Sequence, residues 1–238
     1  MKGDLIYGLR PVDEALRSKR REVYEVLDSV RDEEISSGAS ARKTRLRRVR
    51  RERIEELVPG AVHQGVVARV GPYPYSGLKE ILATPAPLAV VLDGVTDPRN
   101  LGAVLRAADG AGASGVVVPK DRAAGVTPAA VKASAGASEH VRVARETNLR
   151  RALERMKEAG LWAYAAEDAA SVRTTAYTDL DLSGPVALVL GSEGRGVRRL
   201  VREGCDGTVS IPMRGAVSTL NVSVAAAVLL FEARRQRG

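Results

Sequence analysis

Three polar loops follow three apolar runs of this chain, and each brings side chains able to bind or orient a substrate. Ligands of α/β proteins bind at the carboxyl ends of the strands, so we expect the three loops to share one site. No histidine lies in them to act as a base. The loops span residues 93–102, 191–196 and 212–219, and the candidate side chains in or beside them are Asn100, Arg106, Glu193, Ser218 and Asn221.

The second loop is rich in glycine, as phosphate-binding loops are. Its glycines stand at 191, 194 and 196, which is not the G-x-G-x-x-G spacing of a dinucleotide site, and the loop does not follow the first strand. The chain also holds no G-x-x-x-x-G-K-[ST] segment of a nucleotide triphosphatase. Alone, this loop is therefore a weak signal, because glycine turns are common after strands.

Apolar runs alternate with helical stretches after residue 87. This alternation predicts an α/β domain, with a parallel sheet covered by helices on both faces. Thr127 before Pro128 is typical of a helix start, and Gly160 of a helix end. The predicted strands lie at 88–92, 116–118, 141–144, 161–165, 186–190 and 208–211, and the helices at 100–111, 127–135, 148–159, 197–203 and 220–235.

A domain boundary is predicted where two prolines fall within residues 84–87, because proline disfavours helix and suits an extended linker. We assign residues 1–82 to a small α/β module, 83–87 to the linker and 88–238 to the larger domain. Within the module, strands are expected at 23–30 and 62–70, a helix at 12–17 with Pro11 in the first turn, and a short amphipathic stretch at 78–82.

The charge of the chain favours a polyanionic partner. The net charge is +8 and the isoelectric point about 9.9, while aromatic residues make up 3%, which favours phosphate contacts over base stacking. Residues 42–53 hold eight Lys and Arg against Glu52. This segment is either an RNA phosphate-binding surface, or a solvated helix face or mobile basic loop.

Several classes of protein are disfavoured. Cys205 is the single cysteine, and His63 and His140 lie far apart, so neither a disulfide nor a metal site is expected. No run of about 18 apolar residues is present, so no membrane span is expected. The start of the chain lacks the apolar stretch of a signal peptide, and a cytoplasmic location follows.

Taken together, the three loops resemble the three signature motifs of the SpoU (TrmH-type) family, in the SPOUT superfamily of RNA methyltransferases. The likeness lies in residues 100–106, 190–196 and 211–223, in the family's order and spacing. Residues 6–12 and 63–68 resemble the N-terminal substrate-binding domain of the rRNA guanosine 2′-O-methyltransferase (RlmB) branch. The resemblance therefore covers nearly the whole chain and is weakest from Glu33 to Glu56.

The resemblance implies a site, a cofactor and an assembly. S-adenosylmethionine would be bound largely by backbone groups, the C-terminus would form a trefoil knot, and the chain would be a homodimer that binds RNA. Arg106 would face the target ribose and phosphate, Asn100 would orient Arg106 or the hydroxyl, and Glu193 would hold a basic residue or the substrate. Ser218 and Asn221 would form hydrogen bonds around the cofactor and the motif loops. The cofactor-binding residues would be Gly191, Ile211, Met213 and Leu220.

The reaction implied is transfer of a methyl group to a ribose 2′-hydroxyl, which must be aligned and lose its proton. Arg106 would be either the base or the stabiliser of the developing alkoxide, with a phosphate or water taking the proton. Simpler roles remain open: helix capping for Asn100 and Asn221, and surface ion pairs for Arg106 and Glu193. Other functions also remain open: methylation of tRNA or of another rRNA nucleotide, as in resistance enzymes, and non-catalytic RNA binding in ribosome assembly.

Overall fold

A computed structural model describes residues 3–168 and 174–238; residues 1–2 of the predicted module and 169–173 of the larger domain lie outside the described residues. The first part of the chain forms a four-stranded sheet of order β1-β4-β2-β3. Within this sheet, β2 and β3 pair in parallel, whereas β4 pairs antiparallel with both β1 and β2. Its elements are β1 (Asp4–Tyr7), α1 (Leu9–Ser18), β2 (Val23–Asp28), α2 (Glu33–Ala41), β3 (Arg45–Arg48), α3 (Arg51–Leu57) and β4 (Val66–Val70).

The rest of the described chain forms a second sheet of seven strands, of order β7-β6-β5-β10-β8-β11-β9, with every neighbouring pair parallel. Its elements are α4 (Leu78–Leu82), β5 (Leu88–Asp93), α5 (Pro98–Gly110), β6 (Gly115–Pro119), α6 (Pro128–Ala133), β7 (Val143–Glu146), α7 (Leu149–Glu158), β8 (Trp162–Ala166), β9 (Thr175–Ala176), β10 (Val186–Gly191), α8 (Arg199–Arg202), β11 (Gly207–Ser210) and α9 (Val222–Gln236).

Both faces of the seven-stranded sheet are covered, as the sequence predicts. Alternate residues of β5 enter two separate cores: Leu88, Val90 and Leu92 pack with α5, α6 and α9, while Ala89 and Val91 pack with α4, α7 and α8. This alternation follows from the period of two residues in a strand. The apolar run of β5 is therefore buried on both sides, which is typical of a central parallel strand.

Several element bounds differ from the prediction for local reasons. Strand β2 stops at Asp28, short of 30, because the Asp28 carboxylate accepts the N–H groups of Val30 and Arg31 and turns the chain. Strand β4 begins at Val66, not at the 73% exposed Val62. Helix α1 begins at Leu9, which places Pro11 at its third residue, where no helical donor is lost. The two-residue strand β9 has no signal in the sequence.

The ends of other elements agree with the prediction. Thr127 caps α6 by accepting the Ala130 N–H, Pro128 is the first residue of that helix, and Gly160 after α7 has a φ of +88°. Asp97, and not Asn100, caps α5 and accepts the Arg99 N–H at 2.8 Å. The helix-cap alternative for Asn100 is therefore wrong.

Helix α4 packs on the larger domain, although its sequence lies before the predicted linker. Leu78 and Ile81 are buried among residues of β5 and α7, and Ser76 forms a parallel bridge with Ala144. The chain therefore passes from one core to the other before residue 78.

The four-stranded module is docked against the larger domain through a shared apolar core and through polar contacts. The Arg21 guanidinium donates to Glu139 at 2.6 Å, and both side chains are buried. The Tyr73 hydroxyl donates to the Ser138 carbonyl at 2.8 Å, and Arg20 donates to the Val141 carbonyl at 2.8 Å. No helix in the described part of the chain is long and apolar enough to cross a membrane.

Candidate active site

The first and second loops meet because β5 and β10 are parallel neighbours, with Gly191 level with Asp93. Asp93 is buried at the end of β5. Its carboxylate accepts hydrogen bonds from the backbone N–H of Arg198 at 2.8 Å and from the Arg198 Nε at 2.7 Å. A buried carboxylate requires such donors. Asp93 therefore ties the end of β5 to the chain that follows the glycine-rich loop.

Glycine is required at position 191 because the backbone of Gly196 packs directly against it. A Cβ at this position would lie 1.9 Å from the carbonyl carbon of Gly196. Gly194 and Gly196 have positive φ values of +78° and +63°, and the Gly196 N–H donates to the Ser192 carbonyl at 2.9 Å. The glycines therefore close the second loop into a tight ring, which explains their spacing without a phosphate-binding role.

One side chain from each loop region meets in a cluster of Asn100, Glu193 and Asn221, which we call the amide–carboxylate cluster. Asn221 Nδ2 donates to Glu193 Oε1 at 2.6 Å and to Asn100 Oδ1 at 3.1 Å. Asn100 Nδ2 donates to the same Glu193 oxygen at 3.0 Å. Three of the predicted site residues, up to 121 positions apart, are thus in direct contact.

The orientation of the Asn221 amide follows from its neighbour. Asn221 Oδ1 accepts the Ser223 backbone N–H at 2.9 Å and the Ser223 hydroxyl at 2.6 Å, which caps α9. Because Oδ1 faces these donors, Nδ2 must face Glu193. The cap alternative for Asn221 is therefore right, and the same side chain also belongs to the cluster.

Arg106 lies two turns after Asn100 on α5 and is exposed. It forms no hydrogen bond or ion pair with any residue in the ranges that the structure describes, so the surface ion-pair alternative does not hold there. Asn100 bonds to Glu193 and Asn221 instead of to Arg106. Glu193 is likewise held by amides, with no cationic side chain in ion-pair distance among the described residues. The guanidinium of Arg106 is available to a ligand.

A cavity of about 390 Å³ lies beside the cluster. It includes all four predicted cofactor residues, together with Glu193 and Ser218, whereas Asn100, Arg106 and Asn221 are not among its walls. The chain after β8 also contributes to the cavity, where Glu167 and Asp168 line it, and no sequence motif predicted this. Its walls also include Ala166, Leu190, Gly194, Gly196, Thr219, Val222, Ala225 and Leu229.

Residues 42–53 form neither one helix face nor a loop. Arg42 is the C-cap of α2, residues 45–48 form the edge strand β3, and α3 begins at Arg51. Two of the arginines hold the fold: Arg42 donates to the Ala15 carbonyl at 2.6 Å, and Arg48 is paired with the buried Asp28. The other basic residues of the segment are exposed: Lys43, Arg45, Arg47, Arg50, Arg51 and Arg53.

The parallel sheet with a cavity and polar loops at the carboxyl ends of its strands, joined to a module with a basic edge, defines an α/β protein with a ligand site and a surface suited to a polyanion. The family model described as the SpoU rRNA Methylase family matches residues 87–231. A second model, RNA 2′-O ribose methyltransferase substrate binding, matches residues 5–76. The chain belongs to the SpoU rRNA methylase family.

Whole-chain relatives share both domains. The chain is 44% identical over 242 residues to the 23S rRNA (guanosine-2′-O-)-methyltransferase RlmB of Pseudomonas syringae, covering 98% of this chain and 95% of the relative. It is 42% identical over 243 residues to the RlmB of Escherichia coli K12, covering 98% and 99% of the two chains. The similarity therefore extends through the basic module as well as the loops.

A solved structure also has this architecture. The AdoMet-bound rRNA methyltransferase from Sinorhizobium meliloti superimposes with a TM-score of 0.83 at 27% identity, over 98% of this chain and 87% of that one. The fold class predicted from the sequence, a helix-covered parallel sheet preceded by a small α/β module, is confirmed by the strand order and by this match.

Proposed function

We propose that this chain transfers a methyl group from S-adenosylmethionine to the ribose 2′-hydroxyl of a guanosine in 23S rRNA. The observation that carries the proposal is the amide–carboxylate cluster, which joins all three loop regions at the rim of the cavity. Identity of 44% with a 23S rRNA guanosine methyltransferase over both domains supports the substrate.

The residues of the cavity fit S-adenosylmethionine. The volume of about 390 Å³ lies in the range of small-molecule sites, and Ile211, Leu220 and Leu229 provide apolar walls for an adenine. Gly191 has no side chain to cover the backbone of the second loop. Ile211 and Met213 place backbone groups of the third loop region at the cavity. These residues would hold the cofactor, which supplies an electrophilic methyl group on a sulfonium.

Arg106 is proposed to bind the target nucleotide through its phosphate and to stabilise the oxygen that accepts the methyl group. A guanidinium has a pKa above about 12 and is effectively always charged, so it is a poor general base. A phosphate oxygen or water takes the hydroxyl proton in this scheme. Glu193 is held by amides and has no cationic partner among the described residues, so its carboxylate can attract Arg106 once RNA is bound.

The decisive test of the site is Arg106→Ala, measured by single-turnover methylation of a 23S rRNA fragment with S-adenosyl-L-[methyl-³H]methionine. We expect a loss of at least about 100-fold, with unchanged affinity for S-adenosylhomocysteine by calorimetry, because Arg106 lies outside the cavity walls. Arg99→Ala, an exposed arginine on the first turn of α5, is the matched control. Activity within tenfold of wild type would remove Arg106 from the reaction.

The substrate is tested by mapping 2′-O-methyl groups in rRNA and tRNA from a deletion strain and from the same strain carrying the gene. One guanosine of 23S rRNA should lose its methyl group in the deletion strain and regain it on complementation. A change in tRNA or at another rRNA nucleotide would overturn the guanosine assignment. No change at any site, with no cofactor binding by the purified chain, would favour the RNA-binding assembly factor.

Exposed arginines on the edge of the module, Arg45, Arg47, Arg50 and Arg51, are proposed to bind rRNA phosphates. Arg45 and Arg47 lie 3.7 and 3.5 Å from Glu25, at distances where solvent weakens the attraction. Removing one arginine–phosphate pair should make the slope of log affinity against log salt shallower by about 0.7 to 0.9. Filter binding with Arg45→Gln/Arg47→Gln tests this, and an unchanged slope would contradict it.

The assembly, the knot and the location complete the proposal. Homodimer formation is supported by α9, where Val224 and Phe231 lie seven residues apart on one face and are 47% and 51% exposed. Sedimentation of wild type and Phe231→Glu tests it. A trefoil-knotted C-terminus is supported by family membership and would be tested by tracing the chain through 211–238 in a crystal structure. A cytoplasmic location accords with an rRNA substrate.

A further inference from the structure

A carboxylate that the reaction scheme does not use faces the cofactor cavity. Glu167 follows β8 directly, so it lies at the edge of the sheet that holds the three loops. Its backbone N–H donates to the Val209 carbonyl at 2.9 Å, which fixes it against the neighbouring strand β11. Its side chain is 10% exposed and lines the cavity.

One oxygen of the Glu167 carboxylate lacks a hydrogen-bond donor in the part of the chain that the structure describes. Oε1 is buried and accepts no hydrogen bond from the described residues, and Arg202 Nη1 lies 3.8 Å away from it. Burial raises the pKa of Glu167, and Arg202 opposes that rise. Leaving a buried acceptor unsatisfied costs free energy, which a ligand with donors at this point would recover. Oε2 extends toward the second loop and would lie 3.7 Å from a Cβ on Gly196.

The place of Glu167 in the sheet indicates which part of the cofactor it meets. In the strand order β5-β10-β8, β8 lies on the opposite side of β10 from β5. Asn100 lies on α5, the helix that follows β5. The amide–carboxylate cluster, where methyl transfer is proposed, therefore lies toward one end of the cavity and Glu167 toward the other. The nucleoside is the part of S-adenosylmethionine remote from the accepting hydroxyl, and its vicinal ribose hydroxyls are two adjacent donors.

We propose that Glu167 accepts hydrogen bonds from the ribose hydroxyls of S-adenosylmethionine. This inference rests on the proposed function, because it presupposes that the cavity binds this cofactor. An acidic side chain serves the same purpose in dinucleotide-binding folds, where it binds the ribose hydroxyl. Arg202, 3.8 Å away, favours the ionised carboxylate, and hydrogen bonds to an ionised acceptor are the stronger kind.

The test is calorimetric and does not depend on activity. S-adenosylhomocysteine and its 2′,3′-dideoxy analogue are titrated into wild type, Glu167→Ala and the near-isosteric Glu167→Gln. Wild type should bind the hydroxylated ligand at least tenfold more tightly than the analogue. In Glu167→Ala this preference should fall to within about twofold, because only the pairing with the hydroxyls is removed. Glu158→Gln, an exposed glutamate ending α7, is the charge control and should keep the full preference.

The outcomes separate this inference from the function beneath it. If Glu167→Ala weakens both ligands equally, or keeps the wild-type preference, Glu167 does not bind the ribose, although the cavity still binds the cofactor. If wild type binds neither ligand, the cofactor assignment fails, and this inference fails with it. Glu167→Gln should show an intermediate preference and unfold at the wild-type temperature; a full preference in a folded Glu167→Gln variant would also overturn the proposal.

Discussion

Two glutamates of this protein, Glu139 at the contact between the domains and Glu193 in the second loop, are held in opposite ways. Glu139 is buried against one arginine, Arg21, at 2.6 Å, and its second oxygen, Oε2, has no hydrogen-bond partner among the described residues. Glu193 is exposed and is held by the amides of Asn100 and Asn221. The first is paired with a cation inside the protein, whereas the second is positioned by neutral donors and has no cationic partner among the described residues.

The difference shows how the same residue type serves architecture or chemistry. A buried ion pair adds little net stability, because desolvation offsets the attraction. Removing one partner nevertheless destabilises the folded protein strongly, because the other charge stays buried without a partner. It therefore fixes which surfaces of the two domains meet. A carboxylate held by neutral donors keeps its attraction for a cation, which suits a site that must receive Arg106 and a nucleotide.

The largest effect on stability is expected for Glu139→Ala, which leaves the Arg21 guanidinium buried and unpaired. We expect the free energy of unfolding to fall by about 3–5 kcal/mol, as measured by urea denaturation. The double variant Arg21→Met/Glu139→Leu should recover most of this loss, because it removes both charges. A fall below about 1 kcal/mol for Glu139→Ala would show that the contact opens to water.

Glu193→Ala tests the other side of the comparison. Loss of the carboxylate should reduce the single-turnover methylation rate about 100-fold, or about 2.7 kcal/mol of activation free energy. The free energy of unfolding should change by less than about 0.5 kcal/mol, because the site is exposed. Glu203→Ala, an exposed carboxylate that follows α8, is the control. A destabilised but active Glu193→Ala variant would reverse the two roles.

Asn221 separates capping from chemistry within one residue. Asn221→Ser should keep the cap of α9, since serine is as good a cap as asparagine, and should lose tenfold or more in methylation because its hydroxyl cannot reach Glu193. Asn221→Ala should show the same loss of activity and a further loss of about 1 kcal/mol in stability. If Asn221→Ser is fully active, the contact with Glu193 is incidental to the reaction.

The smallest effect concerns pH. Burial raises the pKa of Glu139, with Arg21 opposing it, so the folded protein keeps a proton that the unfolded chain loses near pH 4.5. Stability from this group is therefore greatest below that pH and declines as pH rises through the folded-state value. The unfolding free energy of wild type minus that of Glu139→Gln should fall across this window. A difference that rises with pH would mean that Arg21 outweighs burial.

The parts of the fold that depend on local pattern could be predicted from the sequence. Apolar runs located the central strands, Thr127 and Pro128 marked a helix start, and the likeness to known motifs brought Asn100, Glu193 and Asn221 together. Arg198 and Asp93 lie 105 positions apart, and their contact depends on the pairing of β5 with β10, which no local pattern indicates. Glu167 had a weak signal, an acid two residues after a predicted strand. The sequence could not divide the basic run 42–53 into arginines that hold the fold and arginines that stay free for RNA, because Arg42 and Arg48 bond to residues distant in sequence.

The pairing of β5 with β10 has a consequence for how the protein is made. Strand β5, an inner strand of the large sheet, emerges from the ribosome early, but its neighbour β10 is synthesised only after α5, β6, α6, β7, α7, β8 and β9. Until then, one edge of an apolar strand has no permanent partner. Contacts between residues so distant in sequence slow folding and prolong the exposure of aggregation-prone apolar surface. We expect the nascent chain to depend on chaperones between the synthesis of residues 93 and 191.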